Sequence, residues 1–98
     1  MGVNLAGLAG VHQARGDGAT AERLYKEALA IHRRLFGARH AEVALTLNNL
    51  AVVQSSRGRR AEALRTARAA LAAFRAACGA RHPNTRACAA NVARLAAA

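Results

Sequence analysis

The sequence predicts an all-α fold, an antiparallel helix-pair solenoid whose helices stack into an α–α superhelix. Three observations predict it. The letters "GARH" occupy residues 37–40 and return at 79–82, and the surrounding chain is self-similar at the same offset of 42. Apolar residues recur at helical spacing, with no alternating runs. The composition suits helices: 53% of residues are hydrophobic but only 3% aromatic, and Pro83 is the only proline. Much of the apolar fraction is alanine, which forms helices well and lets their axes approach closely, but buries little area and predicts a thin core.

Ninety-eight residues make one small domain, 1–98. Against its copy, 19 of the 56 overlapping positions are identical, where this composition alone would give roughly 7. The matches include Leu5/Leu47, Leu8/Leu50, Ala9/Ala51, Val11/Val53, Gly16/Gly58, Ala21/Ala63, Ala28/Ala70 and Gly37/Gly79. They fall at apolar helix positions and at glycines, so the repeated phrase closes one structural unit and opens the next. Unit one covers about 1–40, unit two about 41–82, and a terminal helix about 83–98.

Each element follows in order. A first helix runs from about Val3 to Ala14 and is broken by Arg15-Gly16-Asp17-Gly18, where glycine ends it and Asp17 caps its successor. A second helix, about Ala19 to Phe36, carries an apolar stripe of Ala21, Leu24, Tyr25, Ala28, Ile31 and Leu35. Gly37 stops it. The third helix, about Ala41 to Ser56, packs through Leu47, Leu50 and Ala51. After Arg57-Gly58-Arg59 the fourth, about Arg60 to Cys78, repeats the stripe as Ala63, Ala67, Ala70, Phe74 and Ala77. Gly79 stops it, and Pro83 opens the last helix, where a first-turn proline loses no hydrogen bond. Residues Asn84 to Ala97 repeat the first helix only. The layout is A–B–A–B–A, with short loops that make neighbours antiparallel.

Together, "TLNNLA" (46–51), "RG" (15–16 and 57–58), "AERLYKEALAIHRRLFG" (21–37) and "GARHPNT" (79–85) resemble the tetratricopeptide repeat (TPR) family, in the long form found in kinesin light chains. HEAT and armadillo arrays show a similar period. The small–aromatic–small pattern of Ala21, Tyr25 and Ala28 favours the tetratricopeptide resemblance. There are departures. His12 and Gln54 stand where the family usually has Tyr, and Ala67 stands where unit one has Tyr25, which predicts an underpacked second unit. The last helix has no B partner, so it resembles the family's capping helix or the end of a fragment.

The resemblance implies protein–protein interaction, as a scaffold or adaptor holding a peptide in a concave groove lined by the A helices. On a helical wheel Asn48, Asn49, Val52, Ser55 and Ser56 lie opposite the packed residues Leu47, Leu50 and Ala51. An Asn amide both donates to and accepts from a peptide backbone. Asn91 is the counterpart of Asn49, and Arg94 stands one turn on. Gly7 and Gly10 hold the matching places in unit one and leave it bare. The expected contact set is Asn48, Asn49, Val52, Asn91 and Arg94. As solvated surface residues they would need no ligand.

The net charge is +10, and every basic residue except Lys26 is arginine. Dispersed arginines read first as a solvated rim, which also favours an acidic partner. Arg57, Arg59 and Arg60, with Arg65 and Arg68, form a patch able to contact phosphates, but no aromatic residue interleaves for base stacking. A basic accessory module making weak contacts to RNA or DNA is therefore the alternative function. A structural fragment of a longer array, self-associating through its uncovered ends, is another.

Other chemistry has little support. The five acids, Asp17, Glu22, Glu27, Glu42 and Glu62, are dispersed, and Glu22 and Glu27 are expected to pair with Lys26 and Arg23 on the helix surface. No nucleophile elbow or phosphate loop is present, so no enzyme activity and no cofactor are expected. His40 and His82 fall in turns, where capping and packing account for them. Cys78, His82 and Cys88 lack a fourth ligand and a close pair, so no metal is expected. The two cysteines make no disulfide framework. No apolar run reaches the length of a membrane span and no signal peptide opens the chain, so a cytoplasmic location without membrane contact is expected.

Overall fold

The computed structural model describes residues 5–97, which form five helices. They are α1 (Leu5–Ala14), α2 (Gly18–Phe36), α3 (Ala41–Ser56), α4 (Arg60–Cys78) and α5 (Pro83–Ala97). Every expected helix is present. The expected start of the first helix, at Val3 and Asn4, lies outside the described residues. Each helix packs on the next, and the shape is flat, 32 × 32 × 18 Å. Helix axes pack 8–10 Å apart, so 18 Å is two helix layers: α1, α3 and α5 in one, α2 and α4 in the other.

The turn chemistry explains why "GARH" recurs. Gly37 has φ 83° and ψ 166°, and Gly79 has φ 87° and ψ 159°. That region is essentially closed to residues with a Cβ. Three residues later a histidine caps the next helix. His40 Nδ1 accepts from the Glu42 N–H at 3.0 Å, and His82 Nδ1 accepts from the Asn84 N–H at 3.1 Å. Each ring satisfies one of the unpaired donors of a helix start. The other loops also match each other. Asp17 N–H donates to His12 O and Arg59 N–H to Gln54 O, while Gly16 and Gly58 N–H groups donate to Gln13 O and Ser55 O. This is the Schellman pattern. Asp17 then caps α2 by accepting from the Thr20 N–H at 3.1 Å. Its counterpart Arg59 has no acceptor and makes no side-chain cap.

The core runs through both layers. Leu24, Tyr25 and Leu29 of α2 meet Val43, Leu47, Leu50 and Val53 of α3, with Phe74 of α4 and Cys88 of α5. A second cluster joins Ala51, Ala63, Ala67 and Leu95. Unit two carries Ala67 where unit one has Tyr25. Ala67 is fully buried, and the bulk is supplied by Phe74, 1% exposed, at the place His32 holds in unit one. The apolar stripe of α2 is also shorter than expected. Ile31 and Leu35 are exposed, because no helix among the described residues covers that end.

Two sets of charged residues behave differently from a solvated surface. Glu22 is 3% exposed, not a surface group, and Arg57 Nη1 lies 2.7 Å from its Oε1, with Lys26 and Arg59 at 3.0 and 3.6 Å. Arg60 Nε donates to the Leu95 carbonyl at 2.8 Å. Arg57, Arg59 and Arg60 are thus engaged within the chain, joining unit one to unit two and α4 to α5. Arg23 and Glu27 do pair at the surface, at 3.4 Å.

Candidate functional site

The expected contact residues are divided by the face of the helix each occupies. On α3, Leu45, Asn49, Val52 and Ser56 form one exposed stripe, spaced by three and four residues. Asn48 and Ser55 are half-buried and sit apart from it. They lie beside Ala44 and Ala51, and Ala51 packs in the cluster that holds Leu95 and Val92 of α5. Asn48 therefore flanks the α3–α5 side, and Asn49 the side toward α1 and α2. Asn48 Oδ1 is buried without a hydrogen-bond partner. On α5, Arg94 donates through Nη2 to Asn91 Oδ1, so these two satisfy each other one turn apart.

An open cleft of about 650 Å³ lies where α1, α2 and α3 meet. Leu5, Ala6 and Gly7 line it from α1, and Leu45, Thr46 and Asn49 from α3. Ile31, His32 and Phe36 line it from α2. The cleft has two sequence causes. Ala6 and Gly7 stand where unit two has Asn48 and Asn49, and His32 stands where unit two has the buried Phe74. Leu45, Ile31 and Phe36 keep 38%, 44% and 47% of their surface exposed, so the walls are apolar.

The polar groups of the cleft are oriented. Thr46 Oγ1 donates to the Glu42 carbonyl at 2.9 Å, which uses its only proton. His32 Nδ1, 3.0 Å from the same oxygen, must therefore be the donor in that contact. In the neutral ring this leaves Nε2 as an acceptor on a residue that lines the cleft. Phe36 stacks on His40 with centroids 4.4 Å apart and lies 6.0 Å from His32, tying the cleft wall to the cap of α3.

Sequence reasoning found Asn49 but missed Leu45, Ile31, His32 and Phe36. The available signal was the exposed stripe itself, since Leu45 precedes Asn49 by one turn. Among the described residues no group of three or more His, Cys, Asp or Glu is placed to hold a metal ion. Cys78 is half-buried, and Cys88 is buried with its thiol toward the Ala67 carbonyl at 3.6 Å. Burial pushes the Cys88 thiol above its ordinary value. No helix of the described residues is long and apolar enough to cross a membrane.

Paired antiparallel helices in two layers, repeated in register with a cleft on one face, define a helical-repeat module. The chain belongs to the tetratricopeptide repeat family, whose model matches residues 3–76. Repeats of this family generally mediate protein–protein interaction, and the family is one of non-enzymatic modules. No curated protein matches the chain.

Proposed function

We propose that residues 1–98 form a single adaptor or scaffold domain of the long, kinesin-light-chain-like kind, which holds a peptide segment of a partner protein against the α1–α3–α5 face in the cytoplasm. The observation that carries this reading is the cleft: apolar walls from Ile31, Phe36 and Leu45, with Asn49 and the His32 ring among them. Such a site takes an apolar side chain between the walls while Asn49 and His32 Nε2 meet the peptide backbone. Asn48, Val52, Asn91 and Arg94 extend the contact along α3 and α5, Asn48 through its unpaired Oδ1. Arg94 and the net charge of +10 favour an acidic peptide.

The reading as a phosphate-contacting module has weaker support, because Arg57, Arg59 and Arg60 are already engaged with Glu22 and the Leu95 carbonyl. Self-association finds support at α1. Leu8 and Val11 are 39% and 47% exposed, whereas their counterparts Leu50 and Val53 are 4% and 0% exposed, packed between α2 and α4.

The test is capture of partners from lysate, with and without nuclease, comparing wild type with Leu45→Asp/Asn49→Ala and with Asn49→Ala/Asn91→Ala. Partners that survive nuclease and are lost with both variants support the groove. Partners lost to nuclease and indifferent to the variants move the function to the arginines.

A further inference from the structure

A second depression shares no lining residue with the cleft. Between α2 and α4 two adjoining hollows of about 450 and about 400 Å³ have Arg33, Leu47 and Ala69 in common. Leu47, Leu50 and Gln54 of α3 contribute from beneath, and Ala69, Ala72, Ala73 and Ala76 form the α4 wall. The repeat register shows why the trough is empty. Thr66, Ala69, Ala73 and Ala76 stand where α2 has Leu24, Glu27, Ile31 and Arg34. Each substitution removes bulk from α4 on the side that faces α2.

Two independent features give the trough a chemistry. The first is charge. Arg33, Arg39 and Arg65 line it, and none of their guanidinium groups makes a hydrogen bond or ion pair among the described residues. The other charged residues there, Lys26 and Glu62, are paired with Glu22 and Arg59. The second is Gln54. Its side chain is 3% exposed, it lines the trough, and its Oε1 has no hydrogen-bond partner. A buried unpaired carbonyl oxygen is costly, and a donor entering the trough would relieve it.

We propose that the α2–α4 trough binds an extended acidic segment of a partner protein. The alanine wall lets a peptide backbone approach closely, a backbone N–H is the donor that Gln54 lacks, and carboxylates meet the three free guanidiniums. From Arg65 to Ala76 the wall is about 16 Å long at the helical rise, the span of about five extended residues. A second copy of the chain is a poor occupant. Four of its five acids, Asp17, Glu22, Glu27 and Glu62, are already paired. Nucleic acid fits less well, because the arginines would meet its phosphates but the leucine and alanine lining carries no aromatic face on which a base could stack.

The test uses a fluorescein-labelled peptide of alternating Glu and Ala, about six residues long, its Lys-for-Glu analogue, and oligothymidylate. Binding is read by anisotropy, and its location by amide shifts of the isotope-labelled chain. The expected result is saturable binding of the acidic peptide alone, with shifts at Arg33, Gln54, Ala69 and Ala73. Arg33→Gln/Arg65→Gln weakens it about tenfold. Ala69→Glu, which restores the carboxylate that unit one carries at Glu27, weakens it similarly and keeps the helical circular dichroism. Asn49→Ala leaves it unchanged, which separates this site from the cleft. The proposal is overturned by shifts confined to Leu45 and Asn49, by affinity indifferent to both trough variants, by tighter binding of oligothymidylate at the same residues, or by no saturation in the millimolar range.

Discussion

Arg57 and Glu22, 35 residues apart, meet at 2.7 Å across the boundary between the two repeats. The carboxylate is buried, and Lys26 approaches it from its own helix at 3.0 Å. Burial alone would raise the Glu22 pKa. The hydrogen bonds from Lys26 and Arg57, with the charges of Lys26 and Arg59, outweigh burial and hold it below its ordinary value of 4.5.

Glu22→Gln removes the charge and keeps the shape. It should cost about 1.5–3 kcal/mol at neutral pH, the worth of hydrogen bonds to a charged group, as measured by urea unfolding. A group depressed on folding stabilises above its unfolded pKa and loses that contribution as pH falls through its folded pKa. The gap between wild type and Glu22→Gln should therefore be full at pH 7 and close below the ordinary value of 4.5. A gap constant down to acid unfolding would show that the ionised carboxylate contributes nothing.

His40 and His82 cap α3 and α5 through Nδ1. His40→Ala should destabilise by about 1 kcal/mol, and His40→Asn, which keeps an acceptor at the cap, by clearly less. Equal losses in thermal melts would mean that the stacking on Phe36, and not the cap, is what the position supplies.

Two glycine substitutions should have opposite signs. At Gly37 a Cβ meets no atom within 4 Å, yet φ is 83°, so Gly37→Ala should cost about 1–3 kcal/mol of backbone strain. At Gly10, inside α1, a Cβ would reach only the Tyr25 hydroxyl at an ordinary 3.8 Å. Gly10→Ala should stabilise by up to about 1 kcal/mol through helix propensity. The midpoints of urea unfolding check both.

Tyr25 is the only tyrosine, so its ionisation can be followed by ultraviolet absorbance. Burial raises its pKa above 10.0, and its hydroxyl lies 3.3 Å from Gln13 Oε1. The phenol should titrate above 10 while the chain is folded. Because the unfolded chain ionises first, stability should fall as pH rises past 10, and less so in Tyr25→Phe.

The sequence by itself determined the helices, their order and their punctuation. Those follow from local rules: an apolar stripe every three or four residues, a glycine where φ must be positive, an acceptor side chain before a helix. A rule that acts within one turn, and is written twice, can be read without a structure. The stripe of α2 is legible too, but its Ile31 and Leu35 stay exposed, because periodicity gives a face and not what covers it.

Only the tertiary structure decided which side chains work together. Glu22 looked like one half of a surface pair with Lys26, since Arg57 lies 35 residues away in the chain. Asn48 and Asn49 looked equivalent, although one flanks α5 and the other opens on the α1–α3 cleft. The cleft and the trough are made by what is small: Ala6 and Gly7 in one, Ala69, Ala73 and Ala76 in the other. Empty space has no sequence pattern of its own. It arises where two helices fail to fill the gap between them, and that depends on how all three neighbours pack.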